Sequence, residues 1–182
     1  MGPYLKRWMV DGFQVRSCYF YNETVRSLLY QYKGCFDVEL ADVFLSRQAP
    51  FLRFLYRDYV LVPAPSYKQK DEKRGFNHVE LMFSCLHLPM VKALIKVDDV
   101  KQANGNYEER QRIGEHLAYR DDAHLEGKKV LFVDDLFTTG ATAKACAHLL
   151  EKHGAKKVQI LVMGYTLEKE LKRKIESGQH PI

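Results

Sequence analysis

The stretch VLFVDDLFTTGAT, residues 130–142, runs four apolar residues into two adjacent carboxylates, Asp134 and Asp135, and then into Thr138, Thr139, Gly140, Ala141 and Thr142. A helical pattern, ATAKACAHLLEKHG, resumes at once. The apolar run reads as a buried strand, so the small and hydroxyl-bearing residues form a turn at a helix N-terminus. Backbone N–H groups converge at such a terminus and make an anion site. Glycine lets the backbone close around a phosphate, and threonine hydroxyls add donors without charge. Two carboxylates in contact with that phosphate would repel it, so they serve something else. Sugar hydroxyls or a hydrated Mg²⁺ are the chemically suitable choices, and the whole suits a ribose 5-phosphate. An acidic strand end followed by an ordinary helix cap is the competing account, and the order and spacing of the five turn residues weigh against it.

Outward from this stretch, YVLVPAP (residues 59–65), VKALIKV (91–97), KVLFVDD (129–135) and KVQILVMGY (157–165) are continuous apolar, β-prone runs. They alternate with helical patterns such as GFNHVELMFSCLHL (75–88). Strands of this kind between helices predict an α/β fold with a parallel sheet flanked by helices. Upstream, SCYFY reads as a strand, and NETVRSLLYQYK carries Val25, Leu28, Leu29 and Tyr32 on one helical face behind the N-cap Asn22. VELADVFLS and PFLRFLYRD add two further helical patterns. The expected division is a small N-terminal segment and hood over residues 1–58, with a core over 59–182. Residues 98–117 are polar with no sustained hydrophobic period and read as a long mobile loop, and the charged tail from residue 167 reads as a frayed surface helix.

A chain of 182 residues with 46% hydrophobic and 28% charged residues suits one soluble core. Its apolar runs are too short to span a bilayer, and its N-terminus lacks the pattern of a secretory signal, so membrane insertion is not expected and a cytoplasmic location is. Cys18, Cys35, Cys85 and Cys146 are widely spaced without a C-x-x-C pair, which predicts free thiols. A net charge of +5 permits a polyanionic ligand without demanding one.

With those residues in view, VLFVDDLFTTGAT resembles the phosphoribosyl pyrophosphate (PRPP) binding motif of type I phosphoribosyltransferases. YNETVRSLLYQYKGCFD, VLVPAPSYKQKDEKRGFNHVELM and the stretch from Gln102 to Arg110 resemble, in that order, the ComF/ComFC competence protein family, over residues 17–166. The resemblance implies a type I phosphoribosyltransferase-like fold, a role in natural competence, and Mg²⁺-dependent phosphoribosyl transfer to an acceptor that no residue identifies. It implies that Asp134 and Asp135 hold the ribose hydroxyls, and Mg²⁺ indirectly, while Thr138, Thr139, Gly140, Ala141 and Thr142 bind the 5-phosphate. Ala64, Pro65, Ser66 and Tyr67 resemble the loop that meets the pyrophosphate. Lys73 and Arg74 are phosphate partners or, equally, a solvated helix start. Lys101, Gln102, Arg110 and Arg112 belong to the expected lid, with Asp134, Asp135 and Arg110 the candidate catalytic residues. Thr138 stands where 6-oxopurine salvage enzymes of the superfamily carry an aspartate, which argues against ordinary hypoxanthine or guanine salvage. Members of the family usually begin with a cysteine-rich zinc module, which nothing before Ser17 resembles, so no zinc is expected in this chain.

The alternative role is a non-catalytic PRPP sensor, or an accessory that handles single-stranded DNA beside a ComFA-like competence helicase. Tyr19, Tyr21, Tyr30, Tyr32, Tyr56, Tyr59 and Tyr67 include candidates for base stacking, although their spacing favours packing for most of them. His78, His87, His148 and His153 are expected to be structural or superficial.

Overall fold

The computed structural model describes residues 5–67, 71–72, 74–96 and 117–166. Its elements in chain order are β1 (Lys6–Val10), β2 (Phe13–Phe20), α1 (Glu23–Gly34), α2 (Ala41–Leu45), α3 (Ala49–Leu55), β3 (Tyr59–Pro63), α4 (His78–Phe83), β4 (Leu94–Lys96), β5 (Leu117–Tyr119), β6 (Lys129–Phe137), α5 (Ala141–Lys152) and β7 (Lys157–Tyr165). The main sheet has the order β1-β2-β7-β6-β3. Its strands are parallel except β1, which pairs antiparallel with β2. The α/β class with a largely parallel, helix-flanked sheet is therefore present.

The centre of that sheet follows directly from the sequence. Val130 to Val133 in β6 and Ile160 to Met163 in β7 are fully buried, so both faces of both strands are covered. Continuous runs of Val, Ile, Leu and Phe suit that environment, because no side chain on either face must meet water. α5 covers one face with Ala143, Cys146, Ala147 and Leu150. α1 buries Val25, Leu29 and Tyr32, and Asn22 caps it by accepting a hydrogen bond from the Val25 amide at 3.0 Å.

Three expectations are corrected. The strand expected at residues 17–21 spans Phe13–Phe20 and sits inside the main sheet beside β7, so the sheet crosses the expected boundary at residue 58. Phe13, Val15, Cys18 and Tyr19 supply the apolar contacts that make this position favourable. Asp11 and Gly12 join β1 to β2 as a two-residue loop with both φ positive, 53° and 82°, which fixes the register of β1. The strand expected at residues 91–97 is shortened to Leu94–Lys96, and it pairs with β5 in a separate antiparallel ribbon. Met90, just before the expected span, bridges Leu61 of β3, and the Val91 amide donates to the Leu61 carbonyl at 2.9 Å. Ile95 is 43% exposed, which a central parallel strand would not tolerate.

The helix expected over residues 75–88 is likewise shorter. Asn77 caps α4, a tight turn follows at Ser84–Leu86, and His87 closes it in the left-handed region at φ 47°. Among the described residues, no helix is long and apolar enough to cross a membrane. Of the expected lid over residues 98–117, Leu117 opens β5 and the remainder lies outside the described residues, as does the tail from residue 167.

Candidate functional site

β6 is held on both sides, by β3 and β7, up to the point where its acidic residues emerge. Strand alternation sends Asp134 and Asp135 to opposite faces. Asp134 lines a small concavity with Thr138, Thr139, Gly140, Ala141 and Thr142. Its Oδ1 accepts a hydrogen bond from the Asp135 amide at 2.8 Å. Gly140, at φ 73°, is the N-cap of α5 and brings no side chain to cap the helix. The Thr139 hydroxyl accepts from the Ala141 amide at 3.2 Å. Thr138 and Thr139 are exposed, so the turn presents hydroxyls and helix-end dipoles to solvent. Burial pushes the Asp134 carboxyl up to about 6, against the opposing pull of Lys33 and Lys96. The concavity thus joins anion-binding backbone to a carboxylate that is costly to ionise.

Asp135 faces the other way and is buried. It forms an ion pair with Lys33 of α1, and His78 Nε2 lies 3.7 Å from its Oδ2. The state of His78 follows from its other partner. Arg74 Nη1 is 2.8 Å from His78 Nδ1, and a guanidinium can only donate. Nδ1 therefore accepts, and the ring proton sits on Nε2, toward Asp135. Arg74 also pairs with Asp71 at 3.7 Å. Asp71 in turn accepts from the Ser66 hydroxyl at 2.7 Å and from the Asn77 side chain at 3.0 Å. A continuous polar network thus ties Asp135 to the segment after β3. Beside Asp135, a cleft of about 600 Å³ is lined by Tyr21, Arg26, Tyr30, Lys33 and Leu136. Leu136 also borders the Asp134 concavity, so the two openings adjoin.

The segment expected to meet pyrophosphate differs from its reading at Ala64 and at Ser66. The Ala64 amide donates to the Val133 carbonyl at 2.8 Å and is therefore committed to the sheet rather than to a ligand. Pro65 is buried, and the Ser66 hydroxyl is engaged by Asp71. Tyr67 carries the Lys96 ammonium over its ring at 4.6 Å. Arg74 is a network member rather than a solvated helix start. Lys73, Lys101, Gln102, Arg110 and Arg112 lie outside the described residues.

Two residues that the sequence reading passed over stand against Asp135. Lys33 follows Leu29 by four positions on the buried stripe of α1, and a lysine on an apolar stripe is a sign of a buried partner. His78 was expected to be structural, and nothing in its local pattern points to a carboxylate on β6.

The family described as "Phosphoribosyl transferase domain" matches residues 73–177, a span that holds β6, its small-residue turn and α5, and this match sets the class of the chain. Competence protein ComFC of Bacillus subtilis (strain 168) is 36% identical over 148 residues, covering 80% of this chain and 61% of that protein. Competence protein ComFC of Streptococcus pneumoniae (strain ATCC BAA-255 / R6) is 30% identical over 155 residues, covering 84% of this chain and 69% of that protein. The chain belongs to the ComFC family of phosphoribosyltransferase-domain proteins. It spans less than two thirds of the length of the Bacillus relative. Among solved structures, a hypoxanthine phosphoribosyltransferase from Staphylococcus aureus aligns with a TM-score of 0.42 at 15% identity, covering 69% of this chain and 62% of that one.

Proposed function

We propose that this chain binds PRPP with Mg²⁺ at the carboxyl end of β6 and transfers its phosphoribosyl group to an acceptor, in the service of natural competence. The observation that carries this reading is the concavity that joins Asp134 to Thr138, Thr139, Gly140, Ala141 and Thr142. The turn and the first turn of α5 take the 5-phosphate through N–H and hydroxyl donors. Asp134 then faces the ribose, where its carboxylate accepts from hydroxyls and tolerates a hydrated cation nearby. A carboxyl that burial holds near pKa 6 fits such a cation, whose charge would offset the cost of ionising it. Mg²⁺ would supply charge neutralisation of the pyrophosphate. Asp135, already neutralised by Lys33, positions α1 and His78 rather than contacting phosphate. Arg110, with Lys101, Gln102 and Arg112, retains the proposed lid role of shielding the reaction and meeting the departing pyrophosphate. Thr138 supports an acceptor other than hypoxanthine or guanine.

The test is calorimetric titration with PRPP, with and without Mg²⁺, followed by an assay for released pyrophosphate in the presence of nucleobases or single-stranded DNA. Mg²⁺-dependent binding with acceptor-dependent release supports a transferase. Binding without release under any acceptor supports the non-catalytic sensor. Absence of PRPP binding removes both.

A second reading, direct handling of single-stranded DNA, draws on one surface. Phe51 and Phe54 are 49% and 69% exposed, and the Arg57 guanidinium lies 5.1 Å from the Phe54 ring. Exposed aromatic rings beside cations suit base stacking. Of the seven tyrosines weighed for that role, Tyr19, Tyr32, Tyr56 and Tyr59 are buried, whereas Tyr30 is 70% exposed.

A further inference from the structure

The phosphate-binding turn is braced from the far edge of the sheet. A Cβ at Gly140 would lie 2.3 Å from Phe137 Cζ and 2.9 Å from Phe137 Cε2, so the phenyl ring occupies the space that a side chain would need. The position of that ring therefore sets how tightly residues 138–142 can curl. Phe137 ends β6, and its ring meets the edge of Trp8 at 5.4 Å with an interplanar angle of 86°. Trp8 also packs on Tyr165 at 5.4 Å, and Tyr165 is held by Phe20 at 5.6 Å and by the Lys6 ammonium at 4.6 Å. Four strands thus contribute one ring each to a cluster whose last member rests on the turn.

β1 is one edge of the main sheet, and among the described residues it pairs with β2 alone. Met9, on its outer side, is 63% exposed. Lys6, Trp8 and Val10 make up its partly buried face, and of these Trp8 and Lys6 act on this cluster. We propose that Trp8 is a positioning residue for the anion-binding turn: through Phe137 it holds Gly140 and residues 138–142 in the curled geometry that a phosphate requires. The ligand half of this proposal rests on the PRPP reading, whereas the mechanical half does not.

The experiment compares the full chain with Trp8→Ala and Trp8→Phe by hydrogen exchange and by calorimetry with ribose 5-phosphate and, separately, pyrophosphate. In Trp8→Ala, the Ala141 and Lys144 amides, which donate to the Thr139 hydroxyl and the Gly140 carbonyl, should exchange about five-fold faster while those of β3 keep their protection, since an edge-to-face pair contributes about 1 kcal/mol. Affinity for ribose 5-phosphate should fall about five- to ten-fold, with pyrophosphate affinity unchanged. Trp8→Phe should restore most of both. Equal exchange of the Ala141 and Lys144 amides in wild type and Trp8→Ala overturns the proposal, as does a uniform rise across the whole sheet, which would mark Trp8 as general packing. Should Trp8→Ala fail to fold, Trp8→Leu keeps the apolar volume without the aromatic edge, and the same localised rise is required of it. If the wild type binds no ribose 5-phosphate but the local rise is seen, the PRPP reading fails and the brace stands. If ribose 5-phosphate binds with wild-type affinity in a Trp8→Ala protein of unchanged exchange, the brace fails and the PRPP reading stands.

Discussion

Gly140→Ala tests the turn more severely than any change of a polar residue in it. The substitution carries two separable costs. At φ 73°, an L-residue with a Cβ meets its own backbone, which costs about 1–2 kcal/mol. The new methyl would also lie 2.3 Å from Phe137 Cζ, so the ring must swing away and lose its edge contact with Trp8, a further loss of about 0.5–1.5 kcal/mol. The expected total is about 2–3 kcal/mol, equivalent to a fall in Tm of about 5–10 °C for a chain of this size. Gly12→Ala is the matched control. Its φ of 82° imposes the same backbone cost, but nothing lies within 4 Å of the added Cβ, so only about half of the loss is expected. Thermal and urea unfolding measure the difference between the variants, and ribose 5-phosphate titration measures function. Gly140→Ala should lose binding outright, because the displaced ring and methyl open the turn, whereas Gly12→Ala should bind as the wild type does. Equal destabilisation in the two variants, or retained binding in Gly140→Ala, would refute the claim that Phe137 and Gly140 set the geometry of the turn.

Further expectations concern the carboxylates and the aromatic edge. The Asp134 carboxyl, near 6 when folded against an ordinary 3.8, binds its proton more tightly in the folded state. Its stabilising contribution is therefore complete below about pH 4 and is lost as pH rises through 6, a span worth about 3 kcal/mol. Asp134→Asn should flatten that part of the stability profile and be the more stable protein at pH 7.5 in urea unfolding, while losing PRPP affinity. An unchanged profile would show that another group carries the pH dependence. Lys33→Met leaves the buried Asp135 without its ammonium and should cost about 2–4 kcal/mol, most of it recovered in Lys33→Met/Asp135→Asn. Strictly additive losses would remove the ion pair from the account. Trp8 is the chain's single tryptophan, so its emission should change when ribose 5-phosphate binds and stay constant with pyrophosphate alone. Constant emission at saturation measured by calorimetry would argue against contact between the aromatic cluster and the turn. If the exposed Phe51 and Phe54 surface takes single-stranded DNA, anisotropy titrations should show affinity falling with salt at a log–log slope of about −0.7 per phosphate contacted. Binding that is absent even at low salt, or unaltered by Phe54→Ala, would exclude that surface.

What the sequence could and could not reveal divides along the range of the forces involved. β6, α5, β7 and β3 were legible because each carries its own signal, a run buried on both faces or a stripe behind a cap, and neighbouring residues suffice to read it. The turn after β6 was legible for the same reason, since the backbone donors that mark it are local. β1 was not, because KRWMV has one half-buried face and gains its place from the Asp11-Gly12 turn, its ladder with β2 and the rings of Phe137 and Tyr165. The ribbon of β4 and β5 was missed because an apolar triplet says nothing of which partner it will find. The two aspartates show the limit most clearly. Adjacent in sequence, they were read as one pair doing one job, yet strand alternation separates them onto opposite faces. There Asp134 meets the turn, while Asp135 meets Lys33 and His78, whose approach is decided by how α1 and α4 pack. A motif therefore specifies the half of a site that its own backbone builds. The other half is supplied by side chains far along the chain, and for this protein that half is the charge balance around Asp135 and the ring behind Gly140.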